Sequence, residues 1–471
     1  MLALIIETST TSAKAMLYDS QDRIIDMLIE PFPLSISNMS TQDTQEVYKF
    51  SMAVGRKIAQ GKKVDIISIS ATWHSILLCD HNMTPITPTY LWSYTGAEQV
   101  VINIQKDKEL TKELYARTGC IPHANYPLYK LMHLKELGYN TREAYILGQG
   151  SYTFYKMTGQ RMVSRSMASG SGMLNIHTLD YDETILNLIG IDRCQLGQLC
   201  DHRDTQALSS EAANLLGIKS GIPVIPTQPD GALNQVGAGA LSNGVMTLSV
   251  GTSAALRVTT SSPVLNDNAN IWCYTTPISW LSGAATSGAC NCVDWIKNEM
   301  FPPEVTYKDI EEQMTFMNKT PIFLPFLFGE RSPGWKDDKK GGFFELSNHT
   351  TSEDMYLAVL EGVIFNILQC YKILVDHNGK PSKVILSGGI LNSKFWTQMC
   401  SDILQVELEC SDVDQTSMLG AAVLALEVSG EIKDIKDFKT EKGITIYPRK
   451  AYKEIYEKKY AEYEYWYHIT S

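Results

Sequence analysis

The sequence has little clustered positive charge: no block of lysine and arginine occurs in its 471 residues, and its formal net charge is −11 at pH 7. A protein that binds nucleic acid through the phosphates needs grouped basic residues, so no nucleic-acid partner is expected. The acidic balance also gives no general attraction for an anionic substrate. An acid ligand would therefore need local cations in its own site.

Long apolar runs are missing as well. No run approaches the roughly 20 residues that a membrane helix requires, and no basic segment precedes the first apolar run, so neither a membrane partner nor a secretory signal is expected. The 10 cysteines are scattered without a paired framework, as is usual in a reduced cytoplasm. Cys290 and Cys292 have no histidine beside them and are interpreted as core thiols. These absences predict a cytoplasmic protein.

Three familiar active-site signatures are not found. No Gly-x-Gly-x-x-Gly follows a predicted strand, which argues against a nicotinamide enzyme. No Gly-x-x-x-x-Gly-Lys loop is present, which excludes the common phosphate-loop kinases. The segment 251–255 lacks the last glycine of a serine-hydrolase elbow.

The composition that is present is that of a globular enzyme with a large core, with 44% hydrophobic and 20% charged residues. The length permits about three domains. Apolar, strand-like runs such as 2–6 and 64–70 alternate with helical patterns such as 44–60 and 209–216. This alternation predicts an α/β fold.

One stretch near the middle of the chain combines a candidate acid with a candidate phosphate site. An apolar run at 222–226 is followed by a break at 228–231, which contains Asp230, and a small-residue helix is predicted over 232–241. Two β-rich runs, 245–250 and 254–259, are then joined by a Gly-Thr-Ser turn at 251–253. Such a turn offers backbone N–H groups and hydroxyls to a phosphate, and a residue at the carboxyl end of a strand is placed for chemistry. Asp230 has an alternative interpretation as the N-cap of the following helix.

The N-terminus repeats this pattern. Runs at 2–6 and 14–18 flank a hydroxyl-rich turn that begins at Glu7. Two such hairpins half a chain apart indicate two similar lobes, each closing on one side of a polyphosphate. The alternative is a pair of ordinary Ser/Thr-rich hairpin turns.

Two further places are candidates for ligand contact. His74 follows a strand end, where it could bond a polar ligand or stand as a satisfied core histidine. Gly388 and Gly389 separate a strand at 384–386 from a helix that opens near Asn392 or Ser393. Glycines there let the backbone approach a flat ring or a ribose, unless the connection is simply tight.

Taken in order, these segments resemble the FGGY family of carbohydrate kinases, which belongs to the actin-like ATPase superfamily. The resemblance covers nearly the whole chain, and the matching segments are 8–14, 229–231, 251–253, 324–325, 329–333, 360–362, 387–389 and Trp396. It implies two RNase H-like lobes around a central cleft. The expected lobes are 1–241, with the sugar site and the first phosphate hairpin, and 242–471, with the nucleotide site and a terminal helix at 451–467 that packs across the lobes.

The resemblance also implies roles for single residues. Asp230 matches the catalytic base and, with Glu7, the metal-associated carboxylates. The positions that match the ATP site are Thr10, Thr11, Ser12, Lys14, Gly251, Thr252, Gly388, Gly389 and Ser393. The positions that match the sugar site are Trp73, His74, His123, Tyr126 and Asp230. The implied co-substrate is ATP, the implied metal is Mg²⁺, and assembly into a homodimer is left open.

Within the family, several stretches are most similar to gluconate kinases: 73–75, 118–123, 179–182, 271–274 and 295–297. This implies phosphorylation of D-gluconate to 6-phospho-D-gluconate, with xylulose or another ketose or polyol as the alternative acceptor.

The sequence departs from the family pattern in three places. Glu7 stands where an aspartate is usual, and Ser9 replaces a glycine of the phosphate turn. Tyr94 and Gly96 replace the acid and the cation of a common Trp-x-Asp-x-Arg motif. These departures leave open a second class of function, a nucleotide-binding regulatory protein with weakened phosphotransfer.

Overall fold

The computed structural model describes residues 1–21, 23–314, 320–336, 338–411, 415–440 and 443–470. The strands are β1 (Leu2–Thr8), β2 (Ser12–Asp19), β3 (Arg23–Pro31), β4 (Thr41–Gln42), β5 (Ile66–Ala71), β6 (Leu77–Cys79), β7 (Thr89–Tyr90), β8 (Tyr145–Leu147), β9 (Met162–Ser164), β10 (Leu174–Asn175), β11 (Asp180–Tyr181), β12 (Gln198–Cys200), β13 (Gln206–Ala207), β14 (Pro223–Pro229), β15 (Val245–Val250), β16 (Ala254–Thr260), β17 (Trp272–Thr275), β18 (Trp280–Thr286), β19 (Ile322–Leu324), β20 (Gly342–Phe344), β21 (Lys383–Ser387), β22 (Leu408–Cys410) and β23 (Thr445–Ile446).

The α-helices are α1 (Thr44–Ala59), α2 (Glu98–Lys106), α3 (Lys108–Thr118), α4 (Pro127–Glu136), α5 (Gln149–Thr158), α6 (Arg165–Ser169), α7 (Glu183–Ile189), α8 (Ser210–Leu216), α9 (Asp230–Gly237), α10 (Cys290–Met300), α11 (Tyr307–Glu312), α12 (Ser352–Asn378), α13 (Lys394–Leu404), α14 (Thr416–Val428) and α15 (Lys453–Ile469). Short 3₁₀ helices cover Arg193–Gln195, Gly389–Asn392, Ile435–Asp437 and Lys450–Tyr452.

The two large sheets have the same internal arrangement. The first sheet has the order β13-β14-β5-β1-β2-β3, and the second has β17-β18-β16-β15-β21-β22-β23. In the first, β1 pairs antiparallel with β2 and parallel with β5, and β5 pairs parallel with β14. In the second, β15 pairs antiparallel with β16 and parallel with β21, and β21 pairs parallel with β22. The strands β1 and β15 are therefore equivalent, and the prediction of two RNase H-like lobes is confirmed.

The central strands are buried on both faces, which explains their continuous apolar sequence. Six of the seven residues of β1 are buried, and the interior of β15 is buried in the same way. Both strands end at the turns that the sequence singled out. The sheet thereby fixes the place of each turn at the edge where the two lobes meet.

Helix α12 is the long core helix of the second lobe. Its start is set by a capping box in which Thr351 and Asp354 satisfy each other's backbone N–H groups. Among the described residues, α12 is the one helix long and apolar enough to cross a membrane, and 83% of its most apolar window is buried inside the protein. The sequence has no uninterrupted apolar run of that length, because Glu361 and Lys372 lie within the helix.

Helices α9 and α14 connect the lobes by crossing at glycines. A Cβ added to Gly237 would lie 2.0 Å from the carbonyl oxygen of Thr416, and one added to Gly420 would lie 2.0 Å from that of Leu233. Helix α14 packs in one apolar cluster with β1, β2 and β5 of the first sheet. This segment of the C-terminal half therefore lies on the first lobe.

Helix α15 packs differently from the prediction. Four of its tyrosines (Tyr456, Tyr460, Tyr463 and Tyr467) lie in the core cluster of the second lobe. The first three contact Phe365 of α12, and Tyr467 contacts Phe326. The hydroxyl of Tyr467 donates to Glu330 Oε1 at 2.6 Å. The expectation that this helix packs across the lobes is wrong, because its buried tyrosines pack into the core of the second lobe.

Candidate active site

The first turn joins β1 to β2 and is tied to its surroundings through side chains. The Ser9 hydroxyl accepts from the backbone N–H of Ser12 at 3.0 Å. Thr10 Oγ1 accepts from Trp92 Nε1 at 3.0 Å, and the amide of Gln42 donates to the carbonyls of Ser9 and Thr10. Thr11 is exposed at the tip. These bonds hold the turn in one conformation with hydroxyls at its outer edge.

The second turn occupies the equivalent place between β15 and β16. Backbone N–H groups at the start of α10 donate to the carbonyls of Gly251 at 2.9 Å and Thr252 at 3.3 Å, and Thr252 is exposed. Gly388, with φ +97°, lies so close that an added Cβ would be 2.5 Å from the carbonyl oxygen of Val250. The predicted glycine pair and the second turn therefore form one surface.

A cavity of about 650 Å³ opens beside that surface, lined by Gly389 and Ser393 together with Cys290, Asp294, Tyr307 and Glu311. Ser393 caps α13 and donates its hydroxyl to Glu311 Oε2 at 2.6 Å. Burial raises the pKa of Glu311, while bonds from Ser393 and Tyr356 oppose that shift. The volume is in the range of small-molecule pockets. Two of the positions that match the ATP site, Gly389 and Ser393, thus line one cavity of suitable size.

Asp230 is the first residue of α9, directly after β14. Pro229 occupies the N-cap position and makes no side-chain cap, and Asp230 Oδ1 accepts from the N–H of Gly231 at 2.7 Å. Burial, followed by the charge of Glu7, raises the pKa of Asp230 to about 6, while Arg257, the Gly231 N–H and Lys14 oppose the shift. The alternative of a helix cap is therefore not supported. The carboxylate instead lies among charges from the first hairpin and the second lobe.

Glu7 is buried at the end of β1 and is fully engaged. Its Oε1 accepts from Lys14 Nζ at 2.7 Å, and its Oε2 accepts from the hydroxyls of Ser70 at 2.8 Å and Ser417 at 2.5 Å. Lys14 also donates to Gln415 Oε1 at 2.6 Å, at the start of α14. Within the described ranges, no group of three or more His, Cys, Asp or Glu residues is placed to hold a metal ion. Glu7 therefore anchors α14 to the first hairpin.

The side chains of Trp73, His74 and Tyr274 form an aromatic wall beside Asp230. The ring of Trp73 packs so closely on Gly231 that an added Cβ would lie 2.4 Å from it. Trp73 and His74 both contact Tyr274 of the second lobe, at 5.0 and 5.5 Å between ring centroids. His74 Nδ1 bonds the carbonyl of Gly170 at 2.6 Å, and burial lowers the pKa of His74 to about 3. Trp73 and His74 thus lie together near the acid.

The other two residues predicted at the sugar site are placed differently. Tyr126 is fully buried, and its hydroxyl bonds that of Tyr274 at 2.7 Å. Tyr126 therefore supports Tyr274 from the protein interior. No part of its side chain is accessible, so the predicted direct contact with the sugar is not found. His123 bonds Asn125 Oδ1 at 3.0 Å and lies edge-on to Trp335 of the second lobe. It therefore lies at the junction of the lobes.

Tyr94 and Gly96, which replace the family's acid and cation, form a matched pair. The Tyr94 ring covers Gly96, where an added Cβ would be 2.2 Å from its hydroxyl oxygen. The ring also contacts Tyr90 at 4.6 Å, and the hydroxyl bonds His133 Nε2 at 3.1 Å. A larger side chain at position 96 would therefore collide with Tyr94, and this segment supplies no charge to the cleft.

Two arginines near the wall were missed by the sequence reasoning. Arg257 extends from β16 and lies beside Gly231, and the Arg331 guanidinium lies 5.9 Å from the ring of Trp92. The signal for Arg257 was a charge inside a strand that is otherwise apolar. Arg331 belongs to the segment 329–333 that resembles the family, but no role was predicted for it.

The equivalent sheets, the equivalent turns and the cleft between them define a two-lobed phosphotransferase of the actin-like ATPase superfamily. Family models match both halves of the chain: the FGGY family of carbohydrate kinases, N-terminal domain, over residues 2–237 and its C-terminal domain over residues 246–427. The chain belongs to the FGGY family of carbohydrate kinases and is an ATP-dependent enzyme that phosphorylates a sugar hydroxyl.

Individual relatives agree with this assignment. A gluconokinase of Bacillus subtilis (strain 168) is 29% identical over 451 residues, which cover 91% of this chain and 87% of that protein. The crystal structure of a gluconate kinase from Lactobacillus acidophilus superposes with a TM-score of 0.93 at 25% identity, over 100% of this chain and 98% of the other. A ligand-bound xylulose kinase from Lactobacillus acidophilus has a TM-score of 0.94 at 24% identity, over 99% and 98% of the two chains. The last likeness establishes the fold alone.

Proposed function

We propose that the chain is an ATP-dependent gluconate kinase, which transfers the γ-phosphoryl group of ATP to the terminal hydroxyl of D-gluconate and releases 6-phospho-D-gluconate and ADP. The observation that carries the proposal is the place of Asp230, beside the Trp73 wall and within reach of the charges of Glu7, Lys14 and Arg257. The choice of gluconate is supported by the gluconokinase of Bacillus subtilis and the gluconate kinase of Lactobacillus acidophilus.

Asp230 acts as the general base. A sugar hydroxyl is a poor nucleophile, so a carboxylate that takes its proton as the new O–P bond forms lowers the barrier. A pKa of about 6 leaves Asp230 ionised at neutral pH and makes it a better proton acceptor than an ordinary aspartate. Trp73 and His74 hold the sugar against this carboxylate, which supplies the orientation that the reaction requires.

ATP lies between the turns. The adenosine occupies the cavity at Gly389 and Ser393, and Gly388 allows the close approach of the backbone. The residues proposed to contact the phosphates are Thr10, Thr11, Ser12 and Lys14 of the first hairpin and Gly251 and Thr252 of the second. Closure of the lobes on both ligands excludes water and limits ATP hydrolysis.

The carboxylates fit a magnesium ion that is held largely by water and phosphate. The charge of Glu7 is the second cause of the raised pKa of Asp230, after burial, and a divalent cation relieves such repulsion. Both oxygens of Glu7 already accept hydrogen bonds. We therefore propose that Asp230 is the closer partner and that Glu7 acts through water. When bound, Mg²⁺ neutralises charge on the phosphate oxygens.

Replacing Asp230 tests the proposal. We expect Asp230→Ala to lower kcat by about 100- to 10,000-fold, as for the loss of a general base, with little change in the KM for ATP. Coupled ADP release measures the rate, and circular dichroism checks the fold. Asp267→Asn, at an exposed position, is the control and should retain wild-type activity. A folded Asp230→Ala protein with wild-type kcat would contradict the proposal.

The second candidate acceptor is xylulose, supported by a xylulose kinase of Staphylococcus xylosus that is 27% identical over 368 residues. A panel of sugar acids, ketoses and polyols separates the two, because faster turnover of xylulose than of gluconate would overturn the choice of substrate. Binding of ATP without substrate-dependent ADP release from any acceptor would indicate the nucleotide-binding regulatory protein. We also propose a cytoplasmic location, and light scattering checks whether a homodimer forms.

A further inference from the structure

We propose that Arg257 and Arg331 form a carboxylate-recognition pair in the sugar site, so that the enzyme selects sugar acids over neutral sugars of the same shape. The proposal rests on the proposed function, since it explains how that site would accept gluconate. It also supplies local cations in a molecule whose net charge is −11 and whose residue 96 is glycine.

Arg257 presents buried donors to the cleft. Within the part of the chain that the structure describes, its Nε and Nη1 atoms are buried without a hydrogen-bond partner. A Cβ added to Gly231 would lie 3.4 Å from Nε, on the same side as the ring of Trp73. Burial lowers the pKa of Arg257, Asp230 opposes this shift and Arg331 adds to it. An arginine nevertheless keeps its charge in proteins, so its free N–H groups need an acceptor.

Arg331 approaches the same wall from the second lobe. Its Nε is also buried without a partner among the described residues, and its guanidinium lies over the ring of Trp92. Burial raises the pKa of Tyr274, and the charge of Arg331 opposes the shift. Burial likewise lowers the pKa of His74, and the charge of Arg331 adds to that shift. Arg331 therefore lies near the residues that contact Trp73 on both sides of the cleft.

Two further unsatisfied polar atoms, both near His123, are donors. Asn125 Nδ2 and Trp335 Nε1 are buried without partners in the described segments, and both residues neighbour His123. A buried donor without an acceptor is costly, so such a group indicates a ligand rich in oxygen. The charge of Glu7 is paired with Lys14, so two guanidinium groups beside the Asp230 carboxylate leave positive charge to neutralise. A polyhydroxylated carboxylate satisfies both demands, whereas a neutral ketose satisfies only the first.

The γ-phosphate of ATP is the other anion that enters this cleft. Lys14 and the turns at 9–12 and 251–253 already serve that end of the site. The arginines instead lie against Trp73, Trp92 and Tyr274, on the aromatic side. The structure thus favours the carboxylate of the acceptor as their partner, and planar forks of N–H groups suit carboxylate oxygens.

The test compares D-gluconate with D-gluconamide, in which a neutral amide replaces the carboxylate. We expect the wild-type enzyme to prefer gluconate by about 100-fold in kcat/KM, as for a site built around a charged partner. Arg331→Leu should lower kcat/KM for gluconate by about 100- to 1,000-fold, leave gluconamide within about 3-fold, and leave the KM for ATP within about 3-fold. Arg257→Leu should lower kcat/KM for gluconate by a similar factor and for gluconamide by a smaller one, because the charge of Arg257 also acts on Asp230. Arg142→Leu, at an exposed position, is the control and should change none of these values.

Arg257→Lys keeps the charge and most of the volume, so this variant should fold even where Arg257→Leu does not. It loses the fork of N–H groups and should reduce the preference for gluconate by about 10-fold. An unchanged preference in a folded Arg257→Lys protein would overturn the inference. So would variants that lose activity with gluconate and gluconamide equally, or that raise the KM for ATP instead, and in both cases the proposed function would stand. Wild-type enzyme that prefers xylulose to gluconate would overturn the proposed function itself.

Discussion

Asp230 and Glu7 bring two carboxylates together in the cleft, and their surroundings differ. Lys14 and two hydroxyls bind Glu7 directly. Asp230 accepts the N–H of Gly231. Burial and the charge of Glu7 nevertheless raise the pKa of Asp230 from 3.8 to about 6. The folded protein therefore loses stability when Asp230 ionises, which is typical of a functional carboxylate and not of a structural one.

This loss predicts a pH-dependent difference in stability between the wild type and Asp230→Asn. Because the folded-state pKa of Asp230 is raised, its favourable contribution is present below about pH 4 and is lost as the pH rises through about 6. The amide variant has no such loss. We expect its Tm to exceed that of the wild type by roughly 2–4 °C at pH 8, and the difference to shrink by pH 5.

Differential scanning fluorimetry of the ligand-free protein across this pH range measures the difference. In a Glu7→Gln background the Tm difference that Asp230→Asn causes should become smaller, since one cause of the raised pKa of Asp230 is removed. Asp267→Asn serves as the exposed control. Equal Tm values for the wild type and Asp230→Asn at pH 8 would show that Asp230 has an ordinary pKa.

Single residues also show the limits of sequence reasoning. His74 and Asp230 were each predicted at the end of a strand, and the family resemblance assigned Trp73, His74 and Asp230 to the sugar site. Arg257 and Arg331 lie 74 positions apart in the numbering and converge only when two segments of the second lobe fold over the first. Tyr126 was assigned to the sugar because its motif matched, and the hydroxyl pairing with Tyr274 that buries it has no signal in the sequence.

Helix α4 organises the sugar side of the cleft through one buried lysine. Lys130 Nζ donates to the carbonyls of His74 at 2.8 Å, Leu91 at 2.5 Å and Asn125 at 2.8 Å. Three acceptors use all three N–H groups of an ammonium, although burial lowers the pKa of Lys130. The helix thereby ties together the three loops that lead to Trp73, Trp92 and His123.

We expect Lys130→Met to loosen these loops, because three buried carbonyls would lose their donor. The KM for the sugar should rise by about 10-fold or more, while the KM for ATP changes by less than about 3-fold, since the proposed nucleotide cavity lies in the other lobe. Steady-state kinetics with each substrate varied separately measures this split. Lys135→Met, exposed on the same helix, is the matched control. Equal increases in both KM values would mean that Lys130 supports the fold in general.

The predicted elements match the structure where periodicity and caps are strong. The helices predicted at 44–60 and 209–216 agree with α1 and α8 to within one residue at each end, and β15 was predicted with the observed bounds. The interpretation failed for α14, which is apolar around most of its circumference and so gives no direction for its buried face. It also failed for α15, whose tyrosines indicated a buried stripe without indicating which lobe would cover it.

At the level of the two lobes, the crossing of α9 and α14 connects two groups of the candidate site. Asp230 begins α9, and Gln415, which accepts from Lys14, stands at the start of α14. Both helices therefore carry a site group at one end and contact each other through Gly237 and Gly420. The repeat of two hairpins predicted the paired lobes, but the exchange of α14 onto the first sheet arises only from three-dimensional packing.

This crossing predicts that one added methyl group will impair the enzyme. In Gly420→Ala the new Cβ would lie 2.0 Å from the carbonyl oxygen of Leu233, a backbone atom that cannot move without its helix. We expect α9 to be displaced, kcat to fall by about 10- to 100-fold because Asp230 moves relative to the acceptor hydroxyl, and Tm to fall by several degrees. Gly342→Ala, where the nearest atom to the new Cβ is 3.9 Å away, makes the same chemical change with room to spare and should retain wild-type Tm and kcat. Thermal unfolding and initial rates of both variants decide the matter: if Gly420→Ala behaved like Gly342→Ala, the two helices would have space between them, and the position of Asp230 would not depend on their contact.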